Sequence, residues 1–384
     1  MNRDLVIRNA RMVTATEVVH GSLLVQDGRI AALDGESCVP RSNGCLDLEG
    51  DFLVPGLIEL HTDYLETQLQ PRPGVIWPSP LAAVLAHDTQ LVGAGITTVL
   101  DSICCGDLHK GRSRSAMLGM SIKAVRDAVS KGVLRAEHYL HLRCEVCDPD
   151  TADMFEPLAG EDNLKLVSLM DHTPGQRQFS SLEKFRQYYR SKSHSWSDAE
   201  FEDLRRSLVE QQERNSARNR TRILELCRQL DLPVASHDDT LACHIIEAVA
   251  DGVAISEFPT TLEAAQAARA AGIAVVMGAP NVVRGGSHSG NVSALDLAKE
   301  GLLDCLSSDY VPASLLHAAF ALHEQAGMDL PQAMATVTVK PAELLGLEDR
   351  GSIAPDKRAD LLRVHLVDGH PVVRSVWREG RQIF

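Results

Sequence analysis

The stretch FLVPGLIELHTD, residues 52–63, runs from an apolar segment directly into His61, Thr62 and Asp63. An apolar run of this length, rich in Leu, Val and Ile, predicts a strand that is buried on both faces. Side chains two positions apart on a strand point to the same side. We therefore expect His61 and Asp63 to project together from the end of this strand, with Thr62 turned away from them.

Similar segments recur along the chain, and helical patterns separate them. The predicted strands are, in order, residues 53–61, 95–102, 137–146, 164–172, 232–239, 252–258, 272–281 and 302–310. This alternation over residues 55–345 predicts an α/β fold, a closed (β/α)8 barrel of the TIM type. An open doubly wound sheet is the alternative, but no G-x-G-x-x-G motif follows the first strand. Residues 183–230 are charged and helical without a strand, so we expect a helical insertion there.

The two ends of the chain have a different pattern from its middle. Residues 1–54 and 346–384 consist of short β-rich pieces that are separated by turn signals such as Asp27-Gly28 and Glu49-Gly50. Because the barrel pattern lies between these two segments, we expect them to meet in space. They predict one small β-sandwich domain that is built from both termini.

Composition narrows the class of protein. The net charge is −14 and the isoelectric point is about 5.5, which argues against a general binder of nucleic acid or anionic membranes. No window reaches the run of about 18 apolar residues that a membrane span requires, and the N-terminus has no signal-peptide pattern. We therefore expect a cytoplasmic protein. An anionic ligand would need a local cluster of Arg, Lys or metal to overcome the overall charge.

Several predicted strands end in residues that bind metals. These residues are His61, Asp63, Glu145, His172, His237 and Asp309. The carboxyl ends of the strands of a barrel gather at one mouth, where active sites lie. Imidazoles and carboxylates in this combination suit one or two divalent ions, with zinc favoured and manganese or iron as alternatives. Each of these residues alone would be an ordinary polar group, so the prediction depends on their recurrence at the ends of separate strands.

The loop after the seventh predicted strand has the composition of an anion-binding segment. It contains Arg284, Gly285, Gly286, Ser287, His288 and Ser289. Glycines permit close approach of the backbone, whose N–H groups bind phosphate oxygens, and an arginine binds a phosphoryl group bidentately. Arg72, Arg143 and Arg177 follow or lie on ligand-bearing strands and are further candidates for substrate binding. A solvated, Gly-rich loop without a ligand is the alternative.

At these residues the chain resembles the amidohydrolase superfamily. VPGLIELHTD (54–63) is similar to the first barrel strand of that superfamily, and GSIAPDKRADLL (351–362) is similar to its return from barrel to sandwich, with Asp356 in place of the usual Gly. Within the superfamily it most resembles diphosphatases of phosphonate breakdown. The stretches that carry this closer resemblance are residues 61–78, 141–145, 168–179, 235–239, 257–265, 277–291 and 306–316.

The resemblance implies hydrolysis of α-D-ribose 1-methylphosphonate 5-triphosphate to the 5-phosphate and pyrophosphate in the carbon–phosphorus lyase pathway. It also implies that Glu145 bridges the metals and that His172, His237 and Asp309 have the roles of ligands on later strands. Asp309 would in addition accept the proton of the attacking water. The chain has His61-Thr62-Asp63 where most members of the superfamily have H-x-H, and it shows no clear counterpart of their carboxylated lysine.

Two other functions remain open from the sequence. One is cleavage of a C–N bond, as in a cyclic amidase or deaminase, although such a substrate would not require the Arg-Gly-Gly-Ser-His-Ser loop. The other is a non-catalytic subunit of a phosphonate-processing assembly, although such a subunit would not need to keep every ligand candidate. We expect a small polyphosphorylated ribose as substrate and a homodimer as the assembly, because dimers are the commonest oligomers.

Overall fold

The fold is described from a computed structural model over residues 4–35, 45–108, 113–179, 181–183, 185–186, 197–287 and 289–384. The strands are β1 (Leu5–Val13), β2 (Val18–Gln26), β3 (Arg29–Gly35), β4 (Cys45–Asp47), β5 (Phe52–Pro55), β6 (Leu57–Thr62), β7 (Ile96–Cys105), β8 (Glu137–Glu145), β9 (Leu164–Met170), β10 (Val234–His237), β11 (Ile255–Glu257), β12 (Ala274–Gly278), β13 (Cys305–Ser307), β14 (Leu361–Val367), β15 (His370–Arg378) and β16 (Arg381–Gln382).

The helices lie mostly between the strands of the middle region. They are α1 (Tyr64–Leu69), α2 (Pro80–Gly93), α3 (Ser113–Ser130), α4 (Thr151–Phe155), α5 (Asp198–Gln229), α6 (Ala242–Asp251), α7 (Leu262–Ala270), α8 (Ala279–Val283), α9 (Ala294–Lys299), α10 (Ser314–Ala326), α11 (Leu330–Ala335) and α12 (Val339–Leu344), with short 3-10 helices at Glu156–Leu158 and Arg177–Phe179. In the parts of the chain that the structure describes, no helix is long and apolar enough to cross a membrane.

Strands β6 to β13 form one parallel sheet in which every strand pairs with its neighbour along the chain. The centre of this sheet is filled by buried side chains from seven of its eight strands, namely Leu60, Leu100, Leu166, Ala235, Ile255, Val276 and Cys305. A second, larger apolar core lies between the sheet and the surrounding helices. The predicted (β/α)8 barrel is therefore confirmed.

The barrel closes where its first and last strands, β6 and β13, meet. A bridge between Thr62 and Asp309 joins them at the mouth. The Glu59 carboxylate continues this closure inside the barrel, because it accepts hydrogen bonds from the backbone N–H of His61 (2.8 Å) and of Ser308 (2.7 Å). The closure thus holds two predicted ligands, His61 and Asp309, close to each other.

The remaining strands form a separate sheet from both ends of the chain, in the order β16-β15-β14-β5-β1-β2-β3, with β4 paired to β1. The sheet bends around its own core, since Ile30 of β3 and Trp377 of β15 belong to the same buried cluster. Backbone hydrogen bonds from Ile30 N–H to the Lys357 carbonyl and from Ala359 N–H to the Gly28 carbonyl join the β3 end of the sheet to the segment that precedes β14. A single curled sheet therefore provides the layered packing that was predicted as a sandwich.

The segment that was predicted as a helical insertion contains α5, a helix of 32 residues. Ser197 begins it with a capping box, in which its hydroxyl accepts from Glu200 N–H and the Glu200 carboxylate accepts from Ser197 N–H. Asn219 attaches the helix to the barrel, because its side-chain amide donates to the carbonyls of Val146 (2.9 Å) and Asp148 (2.8 Å). The helix therefore supports the loop that follows Glu145. Residues 184 and 187–196 of the predicted insertion lie outside the described residues.

Candidate metal centre and active site

The barrel mouth opens into a cavity of about 300 Å³, and most of the predicted ligands lie in or beneath it. Glu145, His172, His237 and Asp309 line the cavity. His61 is fully buried below its floor, and its imidazole stacks on that of His237 with 5.6 Å between ring centroids. The structure thus brings together residues that are separated by more than half of the chain.

Two imidazoles and a carboxylate form one ligand group at the mouth. One ligand atom from each of His172, His237 and Asp238 lies within 4.8 Å of the other two. Nε2 of His172 is 3.7 Å and Nε2 of His237 is 3.6 Å from Oδ2 of Asp238. This spacing leaves room for a cation among the three atoms, and the donors are of the N and O types that zinc and similar ions bind.

Glu145 forms close contacts with another candidate ligand, His172. Its Oε2 lies 2.6 Å from Nδ1 of His172, and its Oε1 accepts from the backbone N–H of His172 at 3.2 Å. Burial alone would lower the pKa of His172, but the Glu145 carboxylate outweighs that effect and raises this pKa. Glu145 therefore directs Nε2 of His172 toward the cavity. Its bridging role, which the resemblance implied, stays a prediction.

His61 provides the test of whether a metal fits this site. Its Nδ1 is 2.9 Å from Oε1 of Glu257, whereas its Nε2 is buried and has no hydrogen-bond partner among the described residues. A buried polar atom without a partner costs free energy, so such atoms are rare in proteins. Burial also lowers the pKa of His61, which favours the neutral ring that a metal requires. The arrangement fits a divalent cation.

Asp63 and Asp309 lie on the two sides of the barrel closure. The backbone N–H of Asp309 donates to the His61 carbonyl (3.1 Å), and that of Asp63 donates to the Asp309 carbonyl (3.2 Å). Burial, and next the charge of Asp63, raises the pKa of Asp309 to about 7. Asp309 also has a left-handed backbone with φ of 55°, a conformation that Asp adopts more readily than most residues other than Gly. The paired carboxylates make this part of the site suitable for positive charge.

Arginine and loop residues form another part of the cavity wall. Arg143, Arg284, Gly286, Ser287 and Ser289 line the cavity. Arg143 Nη1 is 3.6 Å from Oδ2 of Asp63, so one cation already lies beside the ligand residues. Gly285 adjoins this wall without lining the cavity, and His288 lies outside the described residues.

Arg72 and Arg177 are not among the residues that line this cavity, and their role in substrate binding stays a prediction. Arg177 is buried, and its guanidinium is paired with Asp239 and with Glu247 (3.2 Å) while it donates to the His237 carbonyl (3.3 Å). Arg72 lies in an exposed turn that its carbonyl closes by accepting from Val75 N–H. The carboxylates that neutralise Arg177 come from elements that follow it far along the chain. The sequence around Arg177 therefore could not predict this pairing.

The sequence prediction missed Asp238, Glu257 and His141 at this site. Asp238 directly follows His237, and Glu257 ends β11, so both occupy the same kind of strand-end position as the residues that were chosen. His141 is fully buried two residues before Arg143, and its Nε2 is 2.5 Å from Oγ of Ser168. A consistent search of every strand end would have found the two carboxylates, whereas His141 has no comparable signal.

The model of the amidohydrolase family matches residues 80–384, which is most of the chain. The chain belongs to the amidohydrolase family. Family membership and the buried His, Asp and Glu clusters together indicate that it binds a divalent metal. The predicted membership of the amidohydrolase superfamily is therefore confirmed.

Two curated proteins are similar to this amidohydrolase over nearly its whole length. It is 48% identical to the α-D-ribose 1-methylphosphonate 5-triphosphate diphosphatase of Escherichia coli K12, over 99% of this chain and 100% of that protein. It is 26% identical to imidazolonepropionase of Deinococcus deserti, over 98% of this chain and 95% of that protein.

Solved structures agree on the fold of this amidohydrolase. The 5-methylcytosine deaminase of Klebsiella pneumoniae with bound phosphonocytosine superposes with a TM-score of 0.66 at 16% identity, covering 99% of this chain and 98% of that one. The N-acetyl-D-glucosamine-6-phosphate deacetylase of Mycobacterium smegmatis does so with a TM-score of 0.64 at 15% identity, covering 99% and 100%. At these identities the likeness concerns the fold alone.

Proposed function

We propose that this amidohydrolase hydrolyses α-D-ribose 1-methylphosphonate 5-triphosphate to the 5-phosphate and pyrophosphate in phosphonate breakdown. The 48% identity with the Escherichia coli diphosphatase over the whole length of both chains carries the proposal. The cavity supports it, because Arg143 and Arg284 line it together with His172, His237 and Asp309. Arginines there match a substrate that carries a triphosphate and a phosphonate.

The metal would be held by His61, Asp63, His172, His237 and Asp309, with Asp238 as a further carboxylate within reach of the two imidazoles. We propose zinc, at one or two ions per chain, from these N and O donors. When bound, the cation supplies a Lewis acid for the phosphoryl oxygens and makes water more acidic. The acidic residues at the mouth would otherwise repel a polyanion.

The chain's own residues would then carry the reaction as follows. The Asp309 carboxylate accepts a proton from water while the water oxygen forms a bond to phosphorus. The phosphoanhydride P–O bond between the α- and β-phosphorus atoms breaks, and its electron pair stays with the leaving group. Arg143 and Arg284 bind phosphoryl oxygens and compensate their charge, which is the main contribution of a protein to phosphoryl transfer.

The test combines metal analysis with phosphorus NMR of the protein incubated with the ribose 5-triphosphate that bears a 1-phosphonate. We expect one to two metals per chain and a growing pyrophosphate signal. Repeating the reaction in ¹⁸O-water identifies the attacked atom, because the label enters the ribose 5-phosphate for attack at the α-phosphorus and pyrophosphate for attack at the β-phosphorus. Bound metal without pyrophosphate would contradict the proposal and favour C–N hydrolysis, which ammonia or a new carboxylate would reveal.

We also propose a homodimer and a cytoplasmic location, in keeping with the expectations from the sequence. Sedimentation equilibrium of the purified protein tests the first, since a dimer has twice the 41.8 kDa mass of the chain. Fractionation of cells that produce the protein tests the second.

A further inference from the structure

Glu257 lies at the centre of the hydrogen bonds beneath the ligand group. It ends β11 and is fully buried. Its Oε1 is 2.9 Å from Nδ1 of His61, and its Oε2 is 3.3 Å from Nδ1 of His237. The Ser168 hydroxyl donates to Oε2 as well, at 2.6 Å. One carboxylate thus contacts the same ring nitrogen of two histidines that lie on different strands.

The chemistry of a carboxylate decides the protonation of both rings. An ionised carboxylate only accepts hydrogen bonds, so each Nδ1 that faces it must carry a proton. Three groups that can donate hydrogen bonds, Nδ1 of His61, Nδ1 of His237 and the Ser168 hydroxyl, surround the Glu257 carboxylate, and this surrounding matches its ionised, acceptor-only form. In a neutral imidazole with Nδ1 protonated, Nε2 keeps its lone pair.

The residue after Glu257 holds the two rings from another side. The Phe258 ring lies edge-on to His61 at 5.0 Å and to His237 at 5.3 Å between centroids. Phe258 has φ of 54°, a backbone conformation that a bulky residue adopts only when its surroundings impose it. The His61 and His237 rings are within 20° of parallel. The end of one strand therefore sets both the tautomer and the orientation of the pair.

We propose that Glu257 is a positioning residue that holds His61 and His237 in the Nδ1–H tautomer and so leaves both Nε2 lone pairs for the metal. The buried Nε2 of His61, which has no partner among the described residues, is the atom that this arrangement leaves free. Hydrogen bonds of this kind from a ligand's second nitrogen typically change metal affinity by about 10–100-fold. The inference rests on the proposed metal site and not on the identity of the substrate.

The first experiment reads the tautomers directly by ¹⁵N–¹H NMR of the histidine side chains in the metal-free wild-type protein. We expect His61 and His237 to carry the proton on Nδ1. A proton on Nε2 of either ring would overturn the proposal. Glu257 itself could be a ligand with His61 and His141, because their ligand atoms lie within 4.8 Å of one another, and Nε2 protonation of His61 is the result that this alternative predicts.

The second experiment measures metal affinity of Glu257→Gln by competition with a chelator. Glutamine keeps the size of the side chain but offers one acceptor and one donor, so one imidazole must move its proton to Nε2. We expect affinity to fall by about 10–100-fold. Glu225→Gln, an exposed position on α5, is the matched control and should leave affinity unchanged. Wild-type affinity in folded Glu257→Gln would contradict the proposal.

These experiments separate this inference from the proposed activity. If Glu257→Gln does not fold, the wild-type tautomers still decide the question. If His61 and His237 are protonated at Nδ1 but the protein releases no pyrophosphate, the diphosphatase activity is refuted and the role of Glu257 stands. If the protein releases pyrophosphate while the His61 and His237 rings are protonated at Nε2, the role proposed for Glu257 is refuted and the diphosphatase activity stands.

Discussion

Asp309 combines the features that a general base in a buried site requires. It lines the cavity, and burial together with the nearby Asp63 raises its pKa to about 7 in the metal-free protein. A base is most effective when its pKa lies near the working pH, because it is then both available and basic enough. A bound cation would add a positive charge beside Asp309 and favour its ionised form, the carboxylate.

Asp309→Asn removes the base but keeps the size of the side chain. Loss of a general base costs about 10²–10⁴-fold in rate, so we expect kcat to fall by that amount while the fold remains. Metal content by atomic absorption should stay near that of the wild type, because the other candidate ligands are unchanged. Asp203→Asn, at an exposed position of α5, is the control. A near-normal kcat in Asp309→Asn would exclude Asp309 as the base.

Arg284→Ala tests the anion-binding wall of the cavity. Arg284 lines the cavity, and it is exposed enough for its side chain to reach a bound phosphoryl group. Loss of a charge-assisted hydrogen bond costs about 1.5–3 kcal/mol, so we expect KM to rise roughly 10–100-fold. Metal content should not change. Arg374→Ala, on the exposed part of β15, controls for loss of one positive charge, and equal substrate affinity in both variants would contradict the prediction.

At the scale of elements, a buried ionic network joins α2 to the outer surface of the barrel. Nδ1 of His138 on β8 is 2.8 Å from Oδ2 of Asp101 on β7, and its Nε2 is 3.3 Å from Oδ1 of Asp88 on α2. Nε2 of His87 is 2.8 Å from the other oxygen of Asp101. Burial alone would lower the pKa of His138, but Asp101 outweighs it and, with Asp88, raises this pKa to about 9.

This network predicts how stability depends on pH. The folded protein binds the His138 proton more tightly than the unfolded chain, whose histidines titrate near 6.5. The stabilisation is therefore complete below about pH 6.5 and is lost as pH rises through about 9, by roughly 3 kcal/mol. Urea unfolding of the wild type and of His138→Gln at pH 6.5 and pH 10 measures this loss. The variant should show a smaller change, and equal changes in both proteins would contradict the prediction.

At the scale of the whole molecule, an ionic network joins the barrel to the terminal sheet. Glu137 begins β8, and its Oε2 lies 2.7 Å from Arg350 and 2.6 Å from Arg358, two residues of the segment that leads into β14. Arg358 also pairs with Asp360 at 2.7 Å, and Arg350 donates to the Thr98 hydroxyl at 3.0 Å. Both arginine side chains are almost fully buried. Glu137 is thus the carboxylate of the barrel that pairs with both arginines, and Asp349 pairs with them from their own segment.

Glu137→Ala should destabilise the protein without changing the site at the mouth. It leaves two buried guanidinium groups with fewer partners, and breaking a buried pair costs about 3–5 kcal/mol. Because the Glu137 side chain is 30% exposed, we expect the lower part of this range, roughly 3 kcal/mol, in the free energy of unfolding by urea. Asp203→Ala breaks a pair with Arg206 whose members are both more than 60% exposed and should cost less than about 1 kcal/mol. Equal losses in the two variants would rule out a special role for this junction.

Much of the fold and part of the site could be predicted because their signals are local. The apolar run before His61 identifies a buried strand, and the alternation of strands with helices identifies the barrel. His172, His237 and Asp309 could be chosen because strand ends of a barrel converge, whatever lies between them in the sequence. The bending of the terminal sheet around its own core could not be predicted, since it depends on contacts between opposite ends of the chain.

The sequence by itself determined the barrel, its family and several of the polar side chains at its mouth. Only the tertiary structure decided which of those side chains are already used by another residue. Arg177 pairs with Asp239, and His61 binds Glu257, a residue 196 positions further along the chain. The physical reason is that charge neutralisation and tautomer choice depend on distances of a few ångströms between groups whose separation along the chain carries no such information.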